Sequence, residues 1–173
     1  RHLWSLVSWT HLRKSRTREK VKTAPALPRG TIRSAFLVRD NIRHRRDIEK
    51  AYLRAIEQAK SEIIIANAYF LPGFGVRHAL IKAAERGVRV ILLLQGRVEY
   101  LLVHYAERAL YGNFLDAGIE IYEYRKSLMH AKVAVIDGHW ATVGSSNIDP
   151  FSLLLSREAN VIADDKEFAA TLR

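Results

Sequence analysis

The chain has 173 residues, a formal charge of +10 and no cysteine. This length supports one core of ordinary size, and the lack of cysteine excludes a framework of disulfide bonds. No apolar run reaches the roughly 18 residues that a membrane-spanning helix needs, so the sequence predicts no transmembrane segment.

The positive charge is concentrated at the start of the chain. Residues 1–33 contain nine lysines or arginines and one glutamate, whereas the other 140 residues carry only +2. Trp4 and Trp9 lie in the same segment, and prolines near Gly30 are typical of a linker. Basic residues beside aromatic ones can hold a protein to anionic lipid, but they also fit a solvated connector or a nucleic-acid contact. We interpret 1–33 as a basic linker or membrane-proximal segment.

From residue 34 onwards, strand and helix patterns alternate. In chain order, the sequence predicts a strand at 35–38, a helix at 45–60, a strand at 62–68, a helix at 76–86, a strand at 88–94, a helix at 100–116, strands at 119–124, 130–137, 140–143 and 156–162, and a helix at 166–172. This alternation predicts a layered α/β/α domain, with a mixed central sheet and helices on both faces.

One segment combines side chains suited to binding and attacking a phosphate ester. The spacing H-x-K-x4-D-x6-G-S-x2-N is formed by His130, Lys132, Asp137, Gly144, Ser145 and Asn147. A chance match of this kind has odds of roughly 10⁻⁶. Because alternate side chains of a strand share a face, we expect His130 and Lys132 to point the same way, about 7 Å apart. Asp137 points the other way, and holding the turn is as good an interpretation as a chemical role.

Further polar residues follow the motif. Ser145, Ser146 and Asn147 are small and polar, which suits the approach of N–H groups and amides to an oxyanion, although either serine could simply serve a turn. Glu158 opens the next predicted strand and is the candidate carboxylate that orients the imidazole of the motif. Tyr69 follows a buried strand at its C-terminal end, where it could line a substrate channel or pack in the core.

These residues resemble the signature of the phospholipase D superfamily, the HKD enzymes, in which a His, a Lys, an Asp, a G-S-x-x-N stretch and a later acid recur in this order. Four stretches also resemble the C-terminal half of bacterial cardiolipin synthases of the B type. They are IANAYFLPG (65–73), GVRV (87–90), IYEYR (121–125) and HWATVGSSNIDP (139–150). The resemblance implies that residues 34–173 form a phospholipase D-like catalytic half domain with a single HKD motif.

The resemblance implies two groups of site residues. The catalytic group is His130, Lys132, Asp137, Asn147 and Glu158, and the substrate-binding group is Ser145, Ser146 and Tyr69. In the family, one histidine attacks phosphorus to form a phosphohistidine, a second histidine protonates the leaving alcohol, and a new alcohol then attacks the phosphoenzyme. No metal or other cofactor is implied.

The implied function is a cardiolipin synthase-like phosphatidyltransferase. It would act on phospholipids such as phosphatidylglycerol, as a peripheral protein on the cytoplasmic face of the bacterial membrane. The alternative is a phospholipase D-type phosphodiesterase or nuclease acting as a homodimer. The nearly neutral charge of the chain after residue 33 argues against an extended surface for nucleic-acid phosphates.

Such a reaction needs two His-Lys pairs, and this sequence has one. Either a preceding half of a longer protein carries the second pair, or two copies of the chain assemble one site. We expect the first, because the narrower resemblance is to a later half and because the chain begins with Arg1 rather than Met. That placement favours His130 as the proton donor to the leaving alcohol rather than as the nucleophile that carries the phosphate.

Overall fold

The structure is a computed structural model that describes residues 30–173. Within it, Ile32–Arg173 form one compact unit. The predicted linker or membrane-proximal segment, 1–33, lies outside the described residues except for its last four positions.

Seven strands and five helices follow one another in the described part of the chain. They are β1 (Arg33–Arg39), α1 (Asp47–Gln58), β2 (Glu62–Asn67), α2 (Phe74–Glu85), β3 (Arg89–Gln95), α3 (Leu101–Asp116), β4 (Glu120–Tyr124), β5 (Lys132–Ile136), β6 (Trp140–Gly144), α4 (Pro150–Leu154), β7 (Glu158–Asp164) and α5 (Lys166–Leu172). Each predicted strand and helix is present, with its ends moved by a few residues. Only the short helix α4 was not predicted.

Helix α4 is fixed by local capping rather than by an apolar period. The carboxylate of Asp149 accepts hydrogen bonds from the backbone N–H groups of Phe151 and Ser152, at 2.8 and 3.0 Å. Pro150 follows as the first helical residue, where its missing N–H costs nothing. At five residues, the helix is too short for its apolar positions to show a period.

The seven strands form one mixed sheet in the order β1-β7-β6-β5-β2-β3-β4. Strands β2, β3 and β4 are parallel and are connected by α2 and α3, because a parallel pair needs a crossover connection. The other neighbours are antiparallel, including the pair of β2 and β5. The predicted mixed sheet is therefore confirmed.

Helices cover both faces of the sheet. On one face, α1, α2 and α3 pack with alternate strand residues in the main core, which includes Ile63, Leu92 and Ile136. On the other face, α5 packs against Val135 and Ala141. Since neighbouring residues of a strand point to opposite faces, these two clusters lie on opposite sides of the sheet. The predicted α/β/α layering is confirmed.

The strand ends bring distant segments together at one edge of the sheet. Strand β2 ends at Asn67, directly opposite Lys132 at the start of β5. Strand β6 ends at Gly144, opposite Asn160 near the start of β7. Strands β3 and β4 run parallel to β2, so the loops that follow them emerge at this edge too. The edge collects polar residues from at least five segments.

Candidate active site

Lys132 is the motif residue that the fold holds most firmly. It is the first residue of β5, it pairs with Asn67 of β2, and only 7% of its surface is exposed. Within the described residues, its hydrogen bonding is limited to a long contact, 3.4 Å from Nζ to the carbonyl oxygen of His130. An ammonium group has three donors, so this enclosed cation retains N–H groups for an anion.

Three carboxylates act on this ammonium group. Burial lowers the pKa of Lys132, and the negative charges of Glu158, Asp149 and Glu99 act in the opposite direction. These acids come from β7, from the residue before α4 and from the loop before α3, so three separate segments place charge around one lysine. Such an arrangement offsets part of the cost of burying a cation.

His130 lies just outside the strand that was predicted to begin with it. Strand β5 starts at Lys132, although the carbonyl oxygen of Ala131 still accepts a hydrogen bond from the backbone N–H of Ala68, at 2.9 Å. His130 itself is exposed, and its ring makes no hydrogen bond to any residue of the described range. The imidazole is thus accessible to a substrate, and the backbone carbonyl oxygen of the same residue is the 3.4 Å contact of the Lys132 ammonium group.

Glu158 and Ser145 are joined across the ends of β6 and β7. The hydroxyl of Ser145 donates a hydrogen bond to the Glu158 carboxylate and accepts one from the backbone N–H of Ala159, at 3.0 Å. No hydrogen bond between Glu158 and His130 is present, so the predicted orienting contact remains a prediction. In this arrangement Ser145 fixes the carboxylate that acts on Lys132.

The glycine of the motif is required by a close approach of two strands. A Cβ atom at Gly144 would lie 2.2 Å from Oδ1 of Asn160 and 2.5 Å from the carbonyl oxygen of Ala159. Both contacts are far below van der Waals distance, and one involves backbone. Glycine at this position lets β6 and β7 stay paired up to the polar loop that follows.

Asn147 and Ser146 occupy that loop in different ways. Asn147 is nearly buried, and its Oδ1 accepts a hydrogen bond from the backbone N–H of Tyr69, at 3.4 Å. Its amide nitrogen has no partner among residues 30–173, so it is a candidate donor to an anion. Ser146 is completely buried, and its hydroxyl contacts the carbonyl oxygen of Asn147 at 3.3 Å. This placement favours the turn interpretation of Ser146 over a contact with substrate.

Tyr69 is partly buried and contacts residues near the motif. Its hydroxyl donates a hydrogen bond to Glu99, and its ring centroid is 6.1 Å from that of Tyr100. Burial, followed by the hydrogen bond to Glu99, raises the pKa of Tyr69. Because Glu99 also acts on Lys132, the Tyr69 ring is close to the motif, as a lining residue would be.

Two buried polar residues that sequence reasoning missed lie close to the motif. Asn67 is fully buried; its Oδ1 accepts a hydrogen bond from the backbone N–H of Ile148 at 3.2 Å, and its amide nitrogen is unpartnered within the described residues. Glu107, on α3, accepts a 2.6 Å hydrogen bond from the N–H of Phe70, and burial raises its pKa, to which Asp149 also contributes. A polar residue ending an apolar strand was the available signal for Asn67. Nothing in the sequence indicates Glu107.

Asp137 is not part of this cluster, which corrects its inclusion among the catalytic residues. It follows β5 at the end opposite to Lys132, in the left-handed backbone conformation, with φ at 51°. Its carboxylate accepts hydrogen bonds from the backbone N–H groups of Lys60, Ser61 and Glu62 at 2.8 to 3.0 Å. Asp137 therefore fixes the β5–β6 turn and ties it to the start of β2, the structural role considered for it above.

This placement predicts a stability defect for Asp137→Asn with little effect on chemistry. Burial alone would raise the pKa of Asp137, but the hydrogen bonds to its carboxylate outweigh burial and lower the pKa to about 2. The carboxylate therefore stabilises the fold above the unfolded pKa of about 3.9, and this contribution is lost as the pH falls towards 2. We expect the variant to unfold about 1–2 kcal/mol more easily at pH 7.

Urea unfolding of both proteins at pH 7 and pH 3 measures the effect. The difference in unfolding free energy should shrink at the lower pH, since below about pH 3.9 the Asp137 carboxyl group takes up a proton in the unfolded wild-type chain while it stays mostly ionised in the folded one. Equal stability at pH 7, together with lost turnover in the complete enzyme, would return Asp137 to the catalytic group.

No group of three or more His, Asp or Glu side chains in 30–173 is arranged to hold a metal ion. In the same part of the chain, no helix combines the length and apolar character that spanning a bilayer requires.

The fold is that of phospholipase D proteins. A phospholipase D family member from Salmonella typhimurium, solved by crystallography, superimposes with a TM-score of 0.66 at 20% sequence identity. The match covers 82% of this chain and 90% of that one. At this identity, the likeness shows the fold alone.

Sequence similarity identifies the family more narrowly than the fold does. Residues 52–173 match the family model described as the phospholipase D-like domain of cardiolipin synthase. The chain is 51% identical over 144 residues to cardiolipin synthase B of Salmonella typhi, which covers 83% of this chain and 35% of that protein. It is 53% identical over 135 residues to cardiolipin synthase B of Escherichia coli K12, covering 78% and 33%. The chain belongs to the phospholipase D-like domain family of cardiolipin synthases, and it spans about a third of the length of these curated relatives.

Proposed function

We propose that residues 34–173 form one catalytic half of a cardiolipin synthase-like phosphatidyltransferase. The observation that carries the proposal is the enclosed ammonium of Lys132, whose Nζ lies 3.4 Å from the backbone carbonyl oxygen of the exposed His130. A phosphate diester placed between them meets a proton-transfer group and a cation, which are the two things that displacement at phosphorus needs. The 51–53% identity to cardiolipin synthases B supports a phospholipid as the diester.

The proposed reaction proceeds in two displacements. A histidine from the other half attacks the phosphorus of phosphatidylglycerol, the bond to the glycerol oxygen breaks, and His130 gives its proton to that oxygen. The hydroxyl group of a second phospholipid molecule then gives its proton to His130 and attacks the phosphohistidine. This attack breaks the P–N bond and releases the product. Lys132 and the amide of Asn147 stabilise charge on the non-bridging oxygens.

The partner in this proposal is a second His-Lys pair. The whole sequence contains one such pair, so the other pair must come from a preceding half of a longer protein or from a second copy of this chain. The coverage of about a third of cardiolipin synthase B supports the preceding half. Peripheral attachment to the cytoplasmic face of the bacterial membrane follows from the substrate and is part of the same proposal.

A side-by-side assay of lipid and nucleic-acid substrates tests the function. We expect the complete two-motif protein, given vesicles of phosphatidylglycerol, to form cardiolipin and release one glycerol per cardiolipin. Supercoiled plasmid under the same conditions should remain intact. Nicked plasmid without any new phospholipid would overturn the proposal in favour of the nuclease alternative.

A further inference from the structure

An apolar cluster lies exposed close to Tyr69 and the motif. Its members are at the loop before α3 and the first turns of that helix, and each is between 51% and 87% exposed: Val98, Tyr100, Leu101, Leu102 and Tyr105. We call these five residues the rim patch. Single exposed apolar residues are ordinary, but a contiguous group of large ones marks a surface that contacts something other than water.

The rim patch is continuous with the motif. Tyr100 packs at 6.1 Å from the ring of Tyr69, whose hydroxyl is bonded to Glu99, and the charge of Glu99 reaches Lys132. The rim patch is thus joined to Lys132 through two neighbouring side chains, Tyr69 and Glu99. Whatever covers the patch also lies close to the motif.

Basic groups border the patch. The guanidinium of Arg97 donates to the backbone carbonyl oxygens of Arg125 and Lys126, at 2.9 and 2.7 Å, and so ties the loop before α3 to the loop after β4. Among the described residues, neither Arg97 nor Lys126 forms an ion pair, so both positive charges remain available. Glu99, in the same loop, is engaged by Tyr69.

The first turn of α3 lacks the acidic and capping side chains that are common at the start of a helix. It contains no acidic residue, and Tyr100 at the N-cap provides no side-chain hydrogen bond. Surface helices commonly place Asp or Glu there, because the N-terminal end of a helix carries partial positive charge. In the 16-residue helix α3, this end instead presents leucines flanked by cations.

We propose that the rim patch is a bilayer-contacting surface that inserts Leu101 and Leu102 among the acyl chains of an anionic membrane. Tyrosines lie at headgroup depth and the charges of Arg97 and Lys126 meet lipid phosphates, an order typical of interfacial segments. The inference rests on the proposed function in one respect, since a phospholipid can pass directly from such a surface to Lys132. Contact at this position keeps the substrate's acyl chains in lipid while its headgroup enters the site.

The lack of cysteine in the chain gives a direct test. We propose single variants Leu102→Cys and Leu115→Cys, each labelled with an environment-sensitive fluorophore such as NBD. Leu115 is a matched control because it is also an exposed leucine on α3, 55% accessible, at the other end of the helix. With phosphatidylglycerol vesicles, the label at 102 should brighten severalfold, and lipids carrying a quencher on their acyl chains should reverse this. The label at 115 should not respond.

Two further variants separate insertion from charge. The partition coefficient of the 173-residue chain onto phosphatidylglycerol vesicles should fall about tenfold or more for the double variant L101S/L102S, but not for Leu115→Ser. Lys126→Glu should weaken binding to these vesicles about tenfold, whereas Lys166→Glu on α5 should not. Because every variant retains residues 1–33, any binding by that segment is common to all of them.

The outcomes distinguish this proposal from the function. A silent label at 102, or equal responses at 102 and 115, overturns the rim patch as a membrane surface even when the complete enzyme makes cardiolipin. Loss of association between the two halves in L101S/L102S, with vesicle binding unchanged, would show that the patch is a protein interface instead. A membrane-inserted patch on a protein that forms no cardiolipin would leave the inference standing and remove the function. Circular dichroism of each variant checks that the fold is retained.

Discussion

Replacing His130 with alanine in the complete two-motif protein is expected to lower phosphatidyl transfer by roughly 10³-fold or more. The ring is exposed and has no structural hydrogen bond within the described residues, so its removal should leave the unfolding free energy within about 0.5 kcal/mol of wild type. The rate of cardiolipin formation from phosphatidylglycerol vesicles measures the first effect. Urea unfolding of the same preparation measures the second.

His139→Ala is a matched control for this loss. His139 is also exposed, but its Nδ1 is paired with Asp164 at 2.7 Å, at the end of β7 away from Glu158. We expect this variant to retain turnover within about twofold, because the ring lies outside the cluster around Lys132. Equal losses in the two variants would mean that His130 has no special role.

The variant His130→Ala can also distinguish the two roles considered for His130, proton donor and nucleophile. A phosphatidyl ester of p-nitrophenol has a leaving group that departs without receiving a proton. If His130 is the proton donor, His130→Ala should regain most of the formation of the phosphoenzyme with this substrate. If His130 is the nucleophile, no phosphoenzyme forms and the better leaving group brings no recovery.

Local patterns predicted the fold well because each element carries its own signal. Apolar residues in β2 and β3 are continuous, with alternate residues fully buried, and Gly87 and Gly118 mark the ends of α2 and α3. The order of the strands in the sheet could not be predicted from local patterns. The pairing of β2 with β5 joins residues about 70 positions apart, and no local pattern specifies it.

The residues of the candidate site also differ in whether a local sequence pattern predicts them. His130, Lys132 and Asn147 could be predicted because one contiguous motif contains them. Glu107 could not, because it contributes only through the backbone N–H of Phe70, 37 positions away. Asp137 shows the opposite error, since membership of a sequence motif was taken to suggest chemistry where the side chain in fact fixes a turn.

The contacts of Glu158 also depend on long-range pairing. A carboxylate near an imidazole predicts an orienting hydrogen bond, but the register of β6 and β7 places the hydroxyl of Ser145 closer. The carboxylate, its serine and the ammonium of Lys132 thus form one polar group at the strand ends.

Lys132→Met in the complete protein is expected to lower turnover about 10²- to 10³-fold, the loss typical of removing one donor to a transition-state oxyanion. Methionine retains most of the volume of lysine and so avoids a cavity in the enclosed position. Lys132→Arg should be nearly as inactive, although it retains the charge, because a residue that is 7% exposed leaves no space for a planar guanidinium. Lys50→Met, at an exposed position on α1, is the control and should behave as wild type.

The two Lys132 variants should differ in stability, and that difference identifies what the cation does. Lys132→Met leaves Asp149, Glu158 and Glu99 without their common positive charge, so we expect it to unfold more easily at pH 7 and to recover part of the loss at high salt, which screens the remaining negative charges. Lys132→Arg keeps the charge but strains the packing, so its defect should change less with salt. Full turnover in Lys132→Arg would show that charge alone suffices there, and that the close fit of the ammonium group has no part in binding the phosphate.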